Sequence, residues 1–306
     1  MITIGLPKSL FYFDHHILWE RFFYNLGCSV ITSRNTNSQI MDDGIKCCSN
    51  ETCLPVKVFH GHVFNLKSSA DYIFIPRYTS LDKNEYTCPK FCGLPDMILL
   101  NLKGQVKILE IKIHPDLFPS RTYESLICIS EILKIKYSRV VKAFEDAAAL
   151  YNKHIWNRCD DNRYVPDGTN SKKILSVLGH PYMIYDNYLS MNLIKKLEKR
   201  SLTVVTSRDI DHQTKRRNAY PFQGKVFWHI GFELLGSAFT FANDKNIKGM
   251  IYLTPFACGV DAFVIEFIER RIKDRYSIPF LKLMVDEHTG EAGFDTRLEA
   301  FLDTVG

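Results

Sequence analysis

The sequence predicts two α/β domains, each a doubly wound parallel sheet of the Rossmann-like or flavodoxin-like kind. Short apolar runs alternate with stretches of helical period along nearly the whole chain, the pattern of strands crossed over by helices. One polar, turn-rich stretch, NRCDDNRYVPDGTNSKK at 157–173, interrupts that alternation. The 306 residues are enough for two cores of ordinary size. The expected domains are 1–165 and 166–306, and no sequence repeat relates them.

Taken in order, residues 2–5 form an apolar strand, 15–26 a helix and 28–32 a second strand. Residues 50–66 read as a helix after their first turn. Ser49 or Asn50 can cap it, Pro55 suits its first turn, and Val56, Phe59, Val63 and Leu66 recur at helical spacing. Strands follow at 71–75, ended by Pro76, and at 106–113, with a cysteine-bearing loop between them. Residues 123–156 contain few breakers and read as one long helix. The second half continues with strands at 173–178, 203–206, 225–227, 250–254 and 280–285. Helices are expected at 187–200, 232–243 and 261–273, with a last one at the C-terminal end.

Composition narrows the function. The chain is 46% hydrophobic and 24% charged, with a net charge of +5 spread along its length, so no nucleic-acid footprint is visible. The most basic run, KKLEKR at 195–200, reads as a solvated helix face. No basic region followed by an apolar signal core opens the sequence, and no window reaches the roughly 20 apolar residues of a membrane span. A cytoplasmic, membrane-free protein is expected. Nine cysteines without framework spacing fit core residues or metal and redox ligands better than disulfides.

Three of those cysteines stand where strands give way to helices. Cys53 precedes Leu54-Pro55, Cys88 precedes Pro89, and Cys258 lies in TPFACGVD between a strand and a helix near Asp261. Backbone N–H groups and the helix dipole at such junctions favour thiolates, ligands soft enough for zinc or iron–sulfur clusters. Cys28, Cys128 and Cys159 read as ordinary buried cysteines. Cys47-Cys48 and Cys92 stay open; Cys88-x₃-Cys92 has zinc-ligand spacing, a weak signal alone. DEHTGEAG at 286–293 offers Glu287, His288 and Glu291 at a strand end, as acid–base groups or simply as a polar turn into a helix. Thr296 and Glu299 have capping-box spacing. His180 in GHPY occupies a similar strand end, and Lys8 and Arg77 are possible phosphate contacts. Neither GxxxxGK[ST] nor a strand-linked GxGxxG occurs, which disfavours a P-loop ATPase or a dinucleotide dehydrogenase.

IGLPKSLFYF, NETCLPVKVFHGHV, DYIFIPRYTS, YTCPKFCGLPDM, VLGHPYMIYD, LTPFACGVDAFV and DEHTGEAGFDTRLEAFLD cover nearly the whole chain. Together they resemble the acyl-CoA dehydratase activase-related proteins, relatives of the iron–sulfur components of 2-hydroxyacyl-CoA dehydratases and of double-cubane cluster proteins. The resemblance implies an iron–sulfur cluster, expected as [4Fe–4S], held by Cys53, Cys88 and Cys258 between the two domains, with one iron open to an exchangeable ligand. Cys92 stands where the family pattern has an apolar residue and can supply a fourth ligand; CGVD stands in place of CGPD. It also implies a separate ATP-dependent activator as electron donor, an acyl-CoA substrate, and pairing as a homo- or heterodimer. In the dehydratase version an electron enters the thioester carbonyl, with Glu287 and His288 as candidate bases for the acidified β-proton. Two alternatives stand beside this lyase-like reading: an electron-transfer or binding module without a substrate, and a structural zinc protein using Cys53, Cys88, Cys92 and Cys258.

Overall fold

A computed structural model describes residues 1–82, 84–114, 119–161, 173–219 and 226–305. The chain divides into two α/β units, 1–157 with 227–229, and 158–226 with 230–306. The first contains β1 (Thr3–Leu6), α1 (Tyr12–Asn25), β2 (Ser29–Thr32), α2 (Ser38–Cys47), α3 (Leu54–Leu66), β3 (Tyr72–Phe74), β4 (Arg77–Tyr78), β5 (Ser80–Asp82) and β6 (Glu85–Tyr86). It continues with α4 (Pro89–Cys92), α5 (Leu94–Asn101), β7 (Ile108–Leu109), β8 (Lys112–Ile113), α6 (Pro119–Leu133) and α7 (Tyr137–Asp161).

Its main sheet is parallel, in the order β2-β1-β3-β7. The strand expected at 106–113 is two short pieces, yet its ladder persists: Ile75, Arg77 and Thr79 donate in turn to the carbonyls of Leu109, Ile111 and Ile113. One sheet face buries an aromatic core, Trp19, Phe22, Phe23 and Phe74. Trp19 packs 4.7 Å from Phe74 and donates its indole N–H to the buried Tyr78 hydroxyl, so the largest apolar side chain leaves no polar atom unpaired. The single helix expected at 123–156 is broken, because Lys134 takes a left-handed conformation, φ 55°, and Ser130 donates its hydroxyl to the carbonyl of Ile135.

Helix α2 is absent from the sequence reading. Asn37 caps it by accepting from Ile40 N, and α2 crosses α3 so closely that a Cβ on Gly61 would lie 1.8 Å from the carbonyl oxygen of Ile40. Cys53 therefore joins two helices. Its expected position at a strand end is corrected: the polar 37–47 segment hides a narrow apolar stripe, Ile40, Met41 and Gly44, that pays for helix formation only once α3 is packed against it.

The second unit holds β9 (Ile174–Gly179), α8 (Pro181–Ile184), α9 (Leu193–Glu198), β10 (Thr203–Thr206), α10 (His212–Asn218), α11 (His229–Ala242), β11 (Ile247–Pro255), α12 (Gly259–Arg275), β12 (Phe280–Val285) and α13 (Glu291–Val305). Its sheet is parallel in the order β10-β9-β11-β12, the same second-first-third-fourth arrangement as in the first unit. Such sheets place their crevice where the order reverses, outside the carboxyl ends of the first and third strands.

The helix expected at 187–200 shrinks to α9. Asp186 accepts from the backbone N–H groups of Tyr188 and Leu189, and Met191 and Asn192 turn left-handed, which uses up the first two turns. No strand forms at the described end of 225–227; Phe227 accepts from Tyr86 N and Trp228 bridges Tyr86 instead. Residues 162–172 of the expected inter-domain stretch lie outside the described residues. Thr296 lies inside α13 and donates to Ala292 O, while Glu299 pairs with Arg200, so the capping-box reading of these two is corrected. The helix begins five residues before Thr296, leaving no bare N-terminal N–H there to cap.

Candidate metal centre

Each of the three singled-out thiols occupies the N-cap of a helix: Cys53 for α3, Cys88 for α4 and Cys258 for α12. Their carbonyls start the helical ladders, as in Val56 N to Cys53 O and Ala262 N to Cys258 O. None of the side chains makes a capping hydrogen bond. Serine, threonine or aspartate would ordinarily fill this position and bond back to the helix. A thiol caps poorly, so these three positions forgo about 1 kcal/mol of helix stability each.

In the first unit Cys53 is buried and Cys47, Cys48, Cys88 and Cys92 are half-buried. Burial, then the neighbouring Cys47, pushes the Cys48 thiol up to about 12, with Lys57 and Lys90 pulling the other way and Cys53 adding to the rise. Cys92 Sγ lies 3.7 Å from the Thr79 hydroxyl. It opens on a polar cavity of about 750 Å³ whose wall includes Arg77, Lys112, His114 and Arg121. Arg77 is not available to phosphate: it is bound to Glu110 and Asp96, with Nη1 also donating to Cys92 O. Lys8 donates to Asn35. Cys28 packs at the edge of the aromatic core, but Cys128 is exposed, correcting its assignment as a core residue; α6 turns that face outward. The side chain of Cys159 lies outside the described residues.

In the second unit the crevice position is filled by a compact polar group. His180, the N-cap of α8, directly follows β9; Cys258 follows β11; and Asp261 sits in the first turn of α12. Their ligand atoms lie within 4.8 Å of one another. The register Leu253↔Gly179 brings the two strand ends side by side. Backbone geometry at both entrances is unusual. Gly179 has φ +147° and sits so close to β11 that a Cβ would lie 2.4 Å from Leu253 O. Ala257, just before Cys258, has φ 61°, a conformation that costs a non-glycine residue on the order of 1 kcal/mol.

Asp261 is fully buried. Its two oxygens accept one hydroxyl each, from Tyr252 at 2.9 Å and Thr254 at 3.0 Å. These two residues are two apart on β11 and so share a face. His180 Nε2 lies 3.1 Å from Asp261 Oδ1, close enough for an ion pair but out of line for a well-formed hydrogen bond, in a residue only 2% exposed. Its ring stacks on Tyr182 at 4.7 Å. Burial alone would lower its pKa, but the Asp261 carboxylate, helped by Cys258, outweighs burial and raises it to about 10. The Asp261 carboxylate thus favours the protonated form of the imidazole beside it.

Glu287 is half-buried and His288 exposed on the turn after β12. That turn is organised by Asp286, which accepts from His288 N and the Thr289 hydroxyl; the Thr289 bond leads the causes that lower its pKa. Glu291 pairs with Lys196. The residue missed from sequence was Asp261. Its signal was the alternation Tyr252-x-Thr254 aimed at an aspartate in the next helical turn, but an aspartate at a helix start reads first as a partner of the helix dipole.

Residues 3–210 match the family described as CoA enzyme activase uncharacterised domain (DUF2229). No curated protein matches the sequence. Among solved structures, the periplasmic zinc binding protein TroA from Treponema pallidum is similar at 9% identity and a TM-score of 0.27, over 99% of this chain and 97% of that one.

Proposed function

The chain belongs to the CoA enzyme activase uncharacterised-domain family, and from that membership we propose a metal-dependent redox component of an acyl-CoA enzyme system, with an iron–sulfur cluster on Cys53, Cys88 and Cys258. One observation carries the ligand set: three thiols stand at helix N-caps, with extended backbone and no capping bond. The fit is chemical as well. A cap position normally selects an oxygen, and a cysteine there has a use that oxygen cannot serve.

A cluster so held supplies one-electron transfer at low potential. The chain's own contribution is to hold three thiolates and to shield them: Cys53 is buried, and the second unit backs Cys258 with His180 and Asp261. The electron donor is assigned to a separate ATP-dependent activator, the partner that the family resemblance implies. The acceptor that such a cluster would serve is an acyl-CoA or another small substrate.

The test is anaerobic purification with iron and sulfide analysis. A brown protein is expected, losing iron in Cys53→Ser, Cys88→Ser and Cys258→Ser but keeping it in Cys92→Ser. A colourless protein that retains no iron after anaerobic reconstitution overturns the reading, as does stoichiometric zinc without sulfide. A spectrum that shifts on adding an acyl-CoA supports a substrate of its own; one that does not leaves an electron-transfer module.

A further inference from the structure

We infer that His180, Cys258 and Asp261 form a ligand set for one divalent cation of the zinc class, complete within the second unit. The inference does not rest on the proposed cluster and competes with it for Cys258, whose thiolate serves the cluster or this cation but not both at once. The three donors come from the end of one strand, a helix N-cap and the first turn of that helix, and their ligand atoms all lie within 4.8 Å of one another.

Alignment, not distance, sets this group apart from a simple hydrogen-bonded pair. His180 Nε2 and Asp261 Oδ1 are 3.1 Å apart without a hydrogen bond between them. Two ligands of one tetrahedral ion with bonds of about 2.0–2.1 Å stand roughly 3.3 Å apart, each aimed at the ion and not at the other. A buried imidazole nitrogen without a well-aligned hydrogen bond is costly, and coordination removes that cost.

The surroundings match those of a metal-binding carboxylate. Tyr252 and Thr254 each donate a hydroxyl to one oxygen of Asp261, fixing its plane while each oxygen keeps a further lone pair. Stacking on Tyr182 fixes the imidazole. One nitrogen, one sulfur and one carboxylate oxygen suit zinc and its first-row neighbours and not magnesium or calcium, which take all-oxygen shells. Three protein ligands leave a fourth position, and the partial exposure of Cys258 gives access to it.

The experiment titrates the full chain, stripped of metal under anaerobic reducing conditions, with Co²⁺ as a spectroscopic stand-in for zinc. One equivalent should produce the intense visible bands of tetrahedral cobalt and a thiolate charge-transfer band. Cys258→Ser should abolish the charge-transfer band, and His180→Gln and Asp261→Asn should each weaken binding by more than about 100-fold. Tyr252→Phe, which removes only an outer hydroxyl, should weaken it about 10-fold. Cys53→Ser and Cys88→Ser should bind as the parent does. Circular dichroism identifies any variant that fails to fold, and Tyr252→Phe carries the test if the buried ligands cannot be replaced. Absence of cobalt bands in the parent overturns the inference. So does their loss in Cys53→Ser or Cys88→Ser with retention in His180→Gln and Asp261→Asn, a result that leaves the cluster reading standing. Failure to reconstitute iron and sulfide, with cobalt still bound, does the reverse.

Discussion

The two units share one strand order, yet the position at which that order reverses is filled in opposite ways. In the first, the leading strand ends in Leu6-Pro7 and the third runs through Phe74 to Pro76; with Trp19, Phe59 and Leu94 they line a small, mainly apolar pocket of about 40 Å³. In the second, the leading strand ends in Gly179-His180 and the third leads into Cys258, and the same place holds an imidazole, a thiol and a buried carboxylate. Topology supplies the position and the strand-end residues supply the chemistry. The first unit gains stability there from burial. The second desolvates charge there and offsets that cost with the hydroxyls of Tyr252 and Thr254 and the pairing of Asp261 with His180.

The most severe way to break this contrast is to remove the anion. Asp261→Ala leaves two buried hydroxyls without their acceptor and His180 without its counter-charge, and should cost the second unit about 3–5 kcal/mol. Asp261→Asn, which keeps the shape, should cost less. Urea denaturation measures both, and an Asp261→Ala protein as stable as the parent would mean that the carboxylate is not the keystone of this pocket.

The strand ends themselves give the next effect. Gly179→Ala forces a Cβ into Leu253 O at a backbone angle that L-residues avoid, and should cost roughly 2–3 kcal/mol. At the matching strand end of the first unit, Leu6→Met conserves volume and should cost less than about 1.5 kcal/mol. Equal losses at the two positions would show that both crevices are ordinary core.

The histidines of the units also differ. In the first, burial, with repulsion from Lys8 second, pushes His62 down to about 3, although Ser33 and Thr36 hydroxyls lie at both its nitrogens. His60 is lowered as well, by burial first. Above a pH of about 6.5 these rings are neutral whether folded or not. As the pH falls below that value the unfolded chain binds protons that the native ring refuses, so stability declines by up to about 1.4 kcal/mol per pH unit for each histidine. Urea midpoints followed from about pH 8 down to about pH 5 should be level at first and then fall, and His62→Gln should flatten the fall. An unchanged slope in that variant would assign the acid sensitivity elsewhere.

Much of this was legible in the sequence because alternation of strand and helix is a local signal. Residues 203–206 and 280–285 have the expected bounds, and three cysteines beside proline or glycine marked helix starts correctly. What escaped depends on partners distant in sequence. Helix α2 exists because Gly44 and Gly61 permit a close crossing, and Asp261 matters because β11 turns Tyr252 and Thr254 toward it. Lys134 was missed for another reason: a lysine gives no hint of a left-handed turn, whereas a glycine there would have announced it.

The smallest effect bears on the turn after β12, where the sequence offered Glu287 and His288 as acid–base groups. Asp286 and Thr289 already explain why polar residues stand there. The Thr289 hydroxyl donates to Asp286 Oδ1 and accepts from Asp286 N, closing the turn from both sides. Thr289→Ala should therefore cost about 1 kcal/mol, the ordinary value of such a bond. His288 contributes its backbone N–H to Asp286 and holds its ring in solvent, so His288→Ala should leave the urea midpoint where it was. If the histidine nevertheless serves a reaction, His288→Ala will lower turnover of the metal-loaded protein at unchanged stability and unchanged metal content. Turnover, stability and metal content all equal to the parent's would reduce 286–289 to a turn whose polarity serves only its own hydrogen bonds.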